Sequence, residues 1–376
     1  MIQSFSRVFL TACLAVFLFC SAITQASACP SAHMASIEDG FRYGFPPQIT
    51  KGFNFAGQHV SLDRHDIRYR ILKELNYLLQ DRRSRVLLWL QKADELKPVI
   101  SPILRKYEVP SEFIFLAAIE SSYNGRAMSS AGAYGFWQFI KSTAMCGPSG
   151  CDQYDWKMHI NHWKDDRGDL VISTNSAAKY LAWMYRVKKV TLGDKPEQEG
   201  FRDWFLTAAA YNAGPGRVTQ RLNGFGSVSY WDIPLPIETE RYVPRWIAVG
   251  LIHKYRDYYG VQIPNSRTIA FDTIDKIRLQ KDLPFASMAK LLNSTPRGVW
   301  TLNSHIPPEK AVFPARSGKT LIEHCIHVPK GSRQKFLAQL AAHGYTKNVK
   351  EPPAPKAKSQ PTKNAFKPGV AKLGKE

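Results

Sequence analysis

The sequence predicts a mainly α-helical protein that ends in a small α+β module. Between Leu62 and Tyr259, apolar residues recur at steps of three and four, the period of amphipathic helices. After Pro264 the pattern changes, and two segments of loose alternation enclose two short helical patterns. The chain has 376 residues and 44% of them are hydrophobic, so it can bury a sizeable core and is not wholly disordered.

The amino-terminal segment has the three-part layout of a secretory signal peptide. Arg7 precedes an apolar run from Val8 to Ile23, and the small-residue site Ala26-Ser27-Ala28 follows. The run is shorter than the roughly 20 residues that a spanning helix needs, which favours a cleaved leader over an uncleaved anchor. Residues 1–28 are therefore predicted to direct export.

Four cysteines remain after such a leader: Cys29, Cys146, Cys151 and Cys325. An even number in an oxidising compartment favours disulfides. Because Cys146 and Cys151 enclose a turn-rich loop, a local bridge between them is expected. Cys29 would begin the mature chain, where Pro30 disfavours acylation without excluding it, so soluble and lipid-anchored forms both stay open. Membrane contact is expected only if Cys29 carries a lipid.

The charge balance favours a polyanionic partner. Lys plus Arg number 51 against 31 Asp plus Glu, which gives a formal net charge of +20. Nucleic acid, anionic lipid and acidic cell wall all fit such a charge. Export argues against nucleic acid.

Two or three packing helices are predicted between Leu62 and about Tyr107. The apolar residues that define them are Ile67, Ile71, Leu75, Leu78, Leu79, Val86, Trp89, Leu90, Ala93 and Leu96. Pro98 and Pro102 are expected to break this run. The segment Val109 to Glu112 then starts another helix, with Pro or Ser in its first positions.

That next helix carries the main candidate for chemistry. Phe113, Leu116 and Ala117 share a helix face with Glu120, so a carboxylate lies on an apolar stripe. Poor solvation and the negative end of the helix dipole should both raise the pKa of Glu120 and keep it protonated near neutral pH. A protonated carboxyl is what glycosidic-bond cleavage needs, although a buried structural Glu fits this segment equally well.

Three later segments add polar and aromatic groups. Gly132 to Phe139 combines two glycines that permit close backbone approach to a ligand, aromatics that can stack on sugars, and Gln138. Ala208 to Arg217 ends an apolar helix with Tyr211 and Asn212, and Glu238 to Val243 adds Tyr242. Taken singly, each segment also fits a turn, a core helix or a helix cap.

In this order the segments resemble the family 1 lytic transglycosylases. The soluble-lytic-transglycosylase (SLT) domain of that family has a Glu-Ser pair, a Gly-x-x-Gly-x-x-Gln loop, an Ala-Tyr-Asn-x-Gly turn and a Glu-Thr-x-x-Tyr-Val segment. Their counterparts here are Glu120-Ser121, Gly132 to Gln138, Ala210 to Gly214 and Glu238 to Val243. The resemblance covers about Ile67 to Tyr259 and implies a lysozyme-like domain of the goose type.

The resemblance implies a single catalytic carboxylate, Glu120, acting first as acid and then as base. It would cleave the β-1,4 bond between N-acetylmuramic acid and N-acetylglucosamine in peptidoglycan strands, with the muramoyl 6-hydroxyl closing on C1 to leave a 1,6-anhydro end. The family's substrate-binding positions carry over to Ser121, Gln138, Tyr211, Asn212 and Tyr242. Gln138 and Asn212 would orient the sugar and its N-acetyl group, and Tyr242 would hold Glu120. Ser121 and Tyr211 also fit a role that only braces the helix ends. A periplasmic or cell-envelope location follows, and the basic charge would suit the carboxylates of the wall.

Nothing in the sequence suggests a cofactor or a metal. Asp165, Asp166 and Asp169 fit helix starts and ion pairs better than catalysis. His159 and His162 are three residues apart and would meet on one helix face, but no third ligand accompanies them, so surface or structural roles are favoured.

The predicted organisation has five parts: the signal peptide 1–28, an N-terminal segment with packing helices over 29–105, the lysozyme-like domain 106–262, the α+β module 268–332 and a disordered, basic Lys- and Pro-rich tail over 347–376. The module has the order of a glycan-binding LysM repeat but lacks its Gly-Asp-Thr-type opening, so it reads as degenerate LysM-like or unrelated. Two other functions stay open: a muramidase that hydrolyses the same bond with water, and a non-catalytic wall-binding protein on the same fold.

Overall fold

The computed structural model describes residues 40–146, 155–190, 196–263 and 268–347. The chain divides into two compact units, Met1–Ile269 and Ala270–Glu376. The first unit is mainly helical and the second mixes strands and helices, which confirms the predicted fold class. The predicted signal peptide, Cys29, Cys151 and nearly all of the basic tail lie outside the described residues. No helix among the described residues is long and apolar enough to span a bilayer.

The first unit is a helical domain with two small hairpins. Its helices are α1 (His65–Asn76), α2 (Arg83–Lys106), α3 (Ile114–Ser121), α4 (Lys141–Ala144), α5 (Leu170–Arg186), α6 (Trp204–Ala213), α7 (Pro215–Gly224) and α8 (Ile237–Lys254). The antiparallel hairpins pair β1 (Gly52–Phe55) with β2 (Gln58–Ser61), and β3 (Lys189–Val190) with β4 (Gln198–Glu199). A π-helical turn, Tyr77–Asp81, joins α1 to α2.

Helix α3 lies at the centre of this unit. Its sequence is apolar on every side up to Glu120, and Leu116, Ala117 and Ala118 have no exposed surface. A helix that is hydrophobic all round is stable only when other elements cover it. Helices α2 and α8 do so, and the central helix thus carries its carboxyl-terminal Glu120 to the edge of the core.

The expectation that Pro98 and Pro102 end a helix is wrong, because α2 runs through both. The two prolines are exposed and lie one turn apart on the same face of the helix. On the opposite face Ile100 and Leu104 are fully buried, and their burial favours the continued helix.

Pro244 lies inside α8 and leaves the carbonyl of Glu240 without its helical donor. Two side chains replace that donor. The Arg70 guanidinium of α1 donates to this oxygen at 3.1 Å and the Tyr230 hydroxyl donates at 2.9 Å. The proline therefore ties α8 to α1 in the middle of the segment that carries Tyr242.

The second unit contains the predicted strand-helix-helix-strand order. Strand β5 (Phe271–Arg278) pairs antiparallel with β10 (Glu323–Pro329), and α9 (Phe285–Leu291) and α10 (Pro296–Leu302) lie between them in sequence. The short strands β6 (Leu283–Pro284), β7 (Val312–Phe313), β8 (Arg316–Ser317) and β9 (Thr320–Leu321) form two further pairs.

A helix that the sequence analysis did not predict, α11 (Arg333–Ala342), follows residue 332. It buries Phe336 and Leu340 fully in the core of the second unit. Only these two of its residues are fully covered, so its apolar pattern was too sparse to identify. The module therefore extends past its predicted end.

The three aspartates between α4 and α5 act as predicted. Asp165 accepts from the backbone N–H of Arg167, and Asp169 caps α5 by accepting from that of Ile172. Asp166, which is 1% exposed, pairs with Lys164 and His159. His159 and His162 lie in an irregular segment, so the idea that they share a helix face is wrong.

Candidate active site

A cleft of about 520 Å³ opens at the carboxyl end of α3. Its lining brings together side chains from α3, the 132–139 loop, α6 and α8. The members with ionisable or hydrogen-bonding groups used below are Glu120, Gln138, Tyr211, Asn212, Glu238, Tyr242 and Arg245. Four of the five predicted substrate-binding residues therefore meet Glu120 in one cleft.

The end of α3 sets the direction of Glu120. Helix α3 stops at Ser121, and Ser122 and Tyr123 both adopt left-handed backbone conformations, with φ of 54° and 57°. The Tyr123 hydroxyl donates back to the carbonyl of Ile114 at 3.0 Å, which fastens this turn to the start of the helix. The abrupt stop leaves Glu120 on the last turn, facing the cleft.

Glu120 is held in a partly buried position by a phenol. The Tyr242 hydroxyl donates to Glu120 Oε1 at 2.5 Å. Burial is the largest influence on this carboxyl and raises its pKa to about 7, as the apolar helix face predicted. The Tyr242 hydrogen bond acts in the opposite direction, and the nearby charge of Glu238 raises the pKa further. The group is thus poised between its two protonation states near neutral pH.

The two cleft tyrosines remain protonated donors. Burial raises the pKa of Tyr242 and of Tyr211 well above the usual range, and the charge of Glu120 adds to both effects. Tyr242 donates to Glu120, whereas Tyr211 donates to the carbonyl of Trp137 at 2.7 Å. Tyr211 therefore fixes the 132–139 loop against α6 and presents its ring to the cleft.

Gln138 has a constrained amide. Its φ of 49° is left-handed, and its Nε2 donates to the carbonyls of Ala127 and Gly135, each at 2.9 Å. Both amide hydrogens are therefore used within the loop, and Oε1 is left to accept from a hydroxyl or an N–H in the cleft. The loop fixes which end of the amide a ligand meets.

Gly135 is required for packing against the backbone of Arg167. Its φ is 83°, and an added Cβ would lie 1.8 Å from the carbonyl oxygen of Arg167. Gly132 has a φ of 76°, but a Cβ there would meet no atom within 4 Å. Of these two loop glycines, Gly135 is therefore the one that has to be glycine for reasons of space.

Arg167 holds the two ends of this loop together and was not identified from the sequence as a site residue. Its Nη1 donates to the carbonyls of Gly132 at 3.0 Å and Phe139 at 2.9 Å. Its Nε and Nη2 donate to Asp165, so every nitrogen of this buried guanidinium makes a hydrogen bond. The Asp-x-Arg spacing alone resembles an ordinary local ion pair and gives no sign of this distant contact.

The aromatic residues of the loop are mostly core residues. Trp137 has no exposed surface, and its Nε1 donates to Thr174 Oγ1 at 3.0 Å. The expectation that it stacks on a sugar is therefore wrong. Phe139 is 4% exposed and contacts the rings of Tyr180 and Tyr211 in the wall of the cleft.

Ser121 and Asn212 occupy different kinds of position. Ser121 is buried, and its Oγ contacts the carbonyls of Ala117 and Phe136 at 3.1 and 2.8 Å, so the structure gives it a bracing place behind the cleft. Asn212 lines the cleft, where its Oδ1 accepts from Thr239 Oγ1 at 2.7 Å. That contact orients Asn212 with Nδ2 as the group left to donate.

Cys146 is buried just after α4. Its predicted partner, Cys151, lies outside the described residues. The local bridge between them stays a prediction.

Comparison with known proteins gives one family and several relatives. Residues 98–233 match the family model described as the transglycosylase SLT domain. The chain is 33% identical over 211 residues to the membrane-bound lytic murein transglycosylase D of Escherichia coli (strain K12), a match that covers 54% of this chain and 41% of that relative. The chain thus spans about two fifths of the curated relative that it matches.

Two solved structures are also similar in part. The 70 kDa soluble lytic transglycosylase of Escherichia coli gives a TM-score of 0.31 at 20% identity, over 50% of this chain and 28% of that one. An inactive mutant of the lytic transglycosylase Slt from Pseudomonas aeruginosa gives 0.33 at 18% identity, over 53% and 30%.

Proposed function

Because the chain carries a transglycosylase SLT domain over residues 98–233, as its motifs predicted, we propose that it is a lytic transglycosylase of peptidoglycan. It would cleave the β-1,4 bond between N-acetylmuramic acid and N-acetylglucosamine without water and leave a 1,6-anhydro end. The observation that carries the proposal is the Glu120–Tyr242 pair in the cleft, with the pKa of Glu120 raised to about 7.

In the first step, Glu120 transfers its proton to the glycosidic oxygen as the bond to C1 breaks. The N-acetylglucosamine part leaves with a new 4-hydroxyl, and positive charge develops at C1 of the muramoyl sugar. A carboxyl with a pKa near the working pH is well matched to this role, because it is protonated often enough and still gives up its proton readily. The Tyr242 hydrogen bond then stabilises the Glu120 carboxylate that forms.

In the second step, the Glu120 carboxylate takes the proton of the muramoyl 6-hydroxyl while that oxygen forms its bond to C1. The proton lost in the first step is thereby regained, and no water is consumed. Since Tyr242 occupies Oε1, the remaining Oε2 would handle the proton in both steps. The substrate's own N-acetyl group would stabilise the charge at C1 in place of a second carboxylate.

Gln138 and Asn212 would orient the sugar. Gln138 offers an acceptor, Oε1, because its amide hydrogens are used in the loop. Asn212 offers a donor, Nδ2, because Thr239 occupies its oxygen. An N-acetyl group has one N–H and one carbonyl, so this fixed pair of complementary groups suits it.

A muramidase that uses water at the same bond is the second candidate, and Glu238 is the observation that favours it. This exposed carboxylate lines the same cleft as Glu120 and raises its pKa. A carboxylate across the sugar from the acid would be the base that activates water in an inverting hydrolase. The two candidates differ in the product, since only hydrolysis leaves a reducing end.

Mass spectrometry of muropeptides released by the purified protein tests the proposal. Non-hydrolytic cleavage gives products one water lighter than those of hydrolysis, and borohydride does not reduce them. Glu120→Gln should abolish product, whereas Glu199→Gln, which removes an exposed carboxyl elsewhere in the unit, should not. Glu238→Gln should leave anhydro products forming. Reducible products that disappear with Glu238→Gln would establish the muramidase instead.

We further propose that the protein works in the cell envelope. The predicted signal peptide and the net charge of +20 support this location, because the wall carries carboxylates and other envelope anions. Fractionation of cells that produce the full chain tests it, and protein retained in the cytoplasm would contradict it.

A further inference from the structure

Three arginines surround one aromatic ring beside the cleft. Tyr77, the first residue of the π-helical turn, has the guanidinium carbons of Arg82, Arg241 and Arg245 at 5.5, 5.1 and 5.4 Å from its ring centroid. Arginines at such distances are attracted by the ring but repel one another. A π-helical turn in this place is notable because such turns occur often at functional sites.

A single buried carboxylate orients two of these arginines. Glu74 of α1 is 1% exposed, and its two oxygens accept from Arg241 Nε at 2.5 Å and from Arg245 Nε at 2.8 Å. Three guanidinium groups and one carboxylate leave two positive charges in excess at this cluster. Glu74 therefore fixes the orientation of Arg241 and Arg245, an arrangement called the Glu74 clamp below, but it does not neutralise the charge of the cluster.

The clamp leaves the outer edges of both guanidinium groups available. Among the described residues, the hydrogen bonds of Arg241 and Arg245 involve only Nε, so their η nitrogens remain to donate. The side chain of Arg245 is 24% exposed and that of Arg241 is 40% exposed. A pair of preoriented guanidinium edges is the arrangement that binds planar oxyanions in a bidentate manner.

Position decides which anion fits. Arg245 lines the same cleft as Glu120 and lies one turn after Tyr242 on α8. A group bound there would belong to a strand whose sugar contacts Tyr242 and Glu120. In peptidoglycan, the groups attached beside the muramoyl sugar are stem peptides that carry carboxylates.

Resting on the proposed function, we propose that Arg245, supported by Arg241 and clamped by Glu74, binds a carboxylate of the stem peptide and makes the enzyme prefer peptide-bearing strands. Arg245 is the specificity-determining residue, and Glu74 is a positioning residue that acts through it. The exposed Glu238 in the same cleft would disfavour a second carboxylate on its own side.

The test compares strands that carry stem peptides with strands from which an amidase has removed them. Arg245→Gln should lower the ratio of kcat/KM for peptide-bearing over denuded strands about tenfold, through a higher KM for the peptide-bearing strands. This is the scale of one lost charge-assisted hydrogen bond at a partly exposed site. Arg245→Lys should restore part of the ratio. Arg105→Gln removes the same charge at the far end of α2, about 30 Å along the helix from Arg82, and should not change the ratio.

A competition experiment on the unaltered protein needs no variant to fold. Stem peptides released by the amidase should inhibit cleavage of peptide-bearing strands, and their methyl esters should not. Equal inhibition by both forms, or an Arg245→Gln ratio equal to that of the parent, would overturn the proposal. If Arg245→Gln instead lost binding to phosphatidylglycerol vesicles with its ratio unchanged, the cluster would serve a lipid phosphate.

The two proposals fail separately. Absence of cleavage on both kinds of strand would refute the proposed activity. Cleavage without discrimination would refute only the arginine site. Co-sedimentation of Glu120→Gln with each kind of strand, with and without Arg245→Gln, reports on the arginine independently of turnover.

Discussion

Removal of the Tyr242 hydroxyl should shift the pH dependence of cleavage. Tyr242 donates to Glu120 Oε1 at 2.5 Å, and this contact lowers a pKa that burial otherwise raises. In Tyr242→Phe the carboxylate loses that donor and keeps its apolar surroundings, so the pKa of Glu120 must rise. The acid role needs the protonated form, and the alkaline limb of kcat/KM, set near pH 7 in the parent, should move to higher pH.

The size of the shift follows from the strength of the contact. A hydrogen bond to a charged group contributes about 1.5–3 kcal/mol net, and about 1.4 kcal/mol corresponds to one pKa unit. Water entering the space of the lost hydroxyl would replace part of the contact, so the lower end of the range applies. The alkaline limb should therefore move upward by about one pH unit.

Two measurements check this value. The first is kcat/KM against pH for soluble glycan strands, and the second is the ¹³C shift of labelled Glu120 in titrations of both proteins. Tyr211→Phe is the matched control, since its hydroxyl donates to Trp137 and not to Glu120. An alkaline limb that stays in place, or moves to lower pH, would refute the proposed link between the phenol and the acid.

Three further predictions concern stability. Because folding raises the pKa of Glu120 from 4.5 to about 7, the contribution of its protonated form to folding stability is fully present below pH 4.5 and is lost as pH rises through 7. Glu120→Gln should therefore be more stable than the parent by about 1–3 kcal/mol at pH 8. Urea melts at pH 8 should show a larger difference between the two proteins than urea melts at pH 5. Gly135→Ala should lower the free energy of unfolding by about 2 kcal/mol or more, since its Cβ would overlap the Arg167 carbonyl. Gly132→Ala should lower it by about 1 kcal/mol, from backbone strain alone. Equal losses of stability for the two variants in chemical denaturation would contradict the packing argument. Glu74→Ala should lower the free energy of unfolding by about 1–3 kcal/mol. This is less than for a fully buried ion pair, because the two arginine side chains remain partly exposed to solvent. Calorimetry that shows no change in Tm would contradict the role of Glu74 in holding the arginines.

The sequence predicted the match of residues 98–233 to the transglycosylase SLT domain model, the mainly helical fold class and the raised pKa of Glu120, because each depends on local pattern. Helical period placed Glu120 on an apolar face, and four ordered motifs identified the domain. The roles of Glu74 and Arg167 could not be predicted in this way. Each binds groups far away in sequence, and nothing in its own neighbourhood distinguishes it from an ordinary surface charge.

Local rules also misled where burial or exposure decided the outcome. Pro98 and Pro102 do not end α2, because the burial of Ile100 and Leu104 on its other face favours a continuous helix. Trp137 has an aromatic ring of the kind that stacks on sugars, but it lies in the core, where it donates to Thr174. Distinguishing these cases requires knowing which face of each element is covered.

Pro244 has a consequence for how the domain loses activity. The Glu240 carbonyl depends on Arg70 and Tyr230 instead of on its own helix, so fraying of α1 deprives α8 of a contact two residues before Tyr242. Local unfolding of α1 would then weaken the hydrogen bond between Tyr242 and Glu120 while most of the core stayed folded. Under mild heating, inactivation should precede global melting, and amide exchange in α1 should keep pace with the loss of turnover.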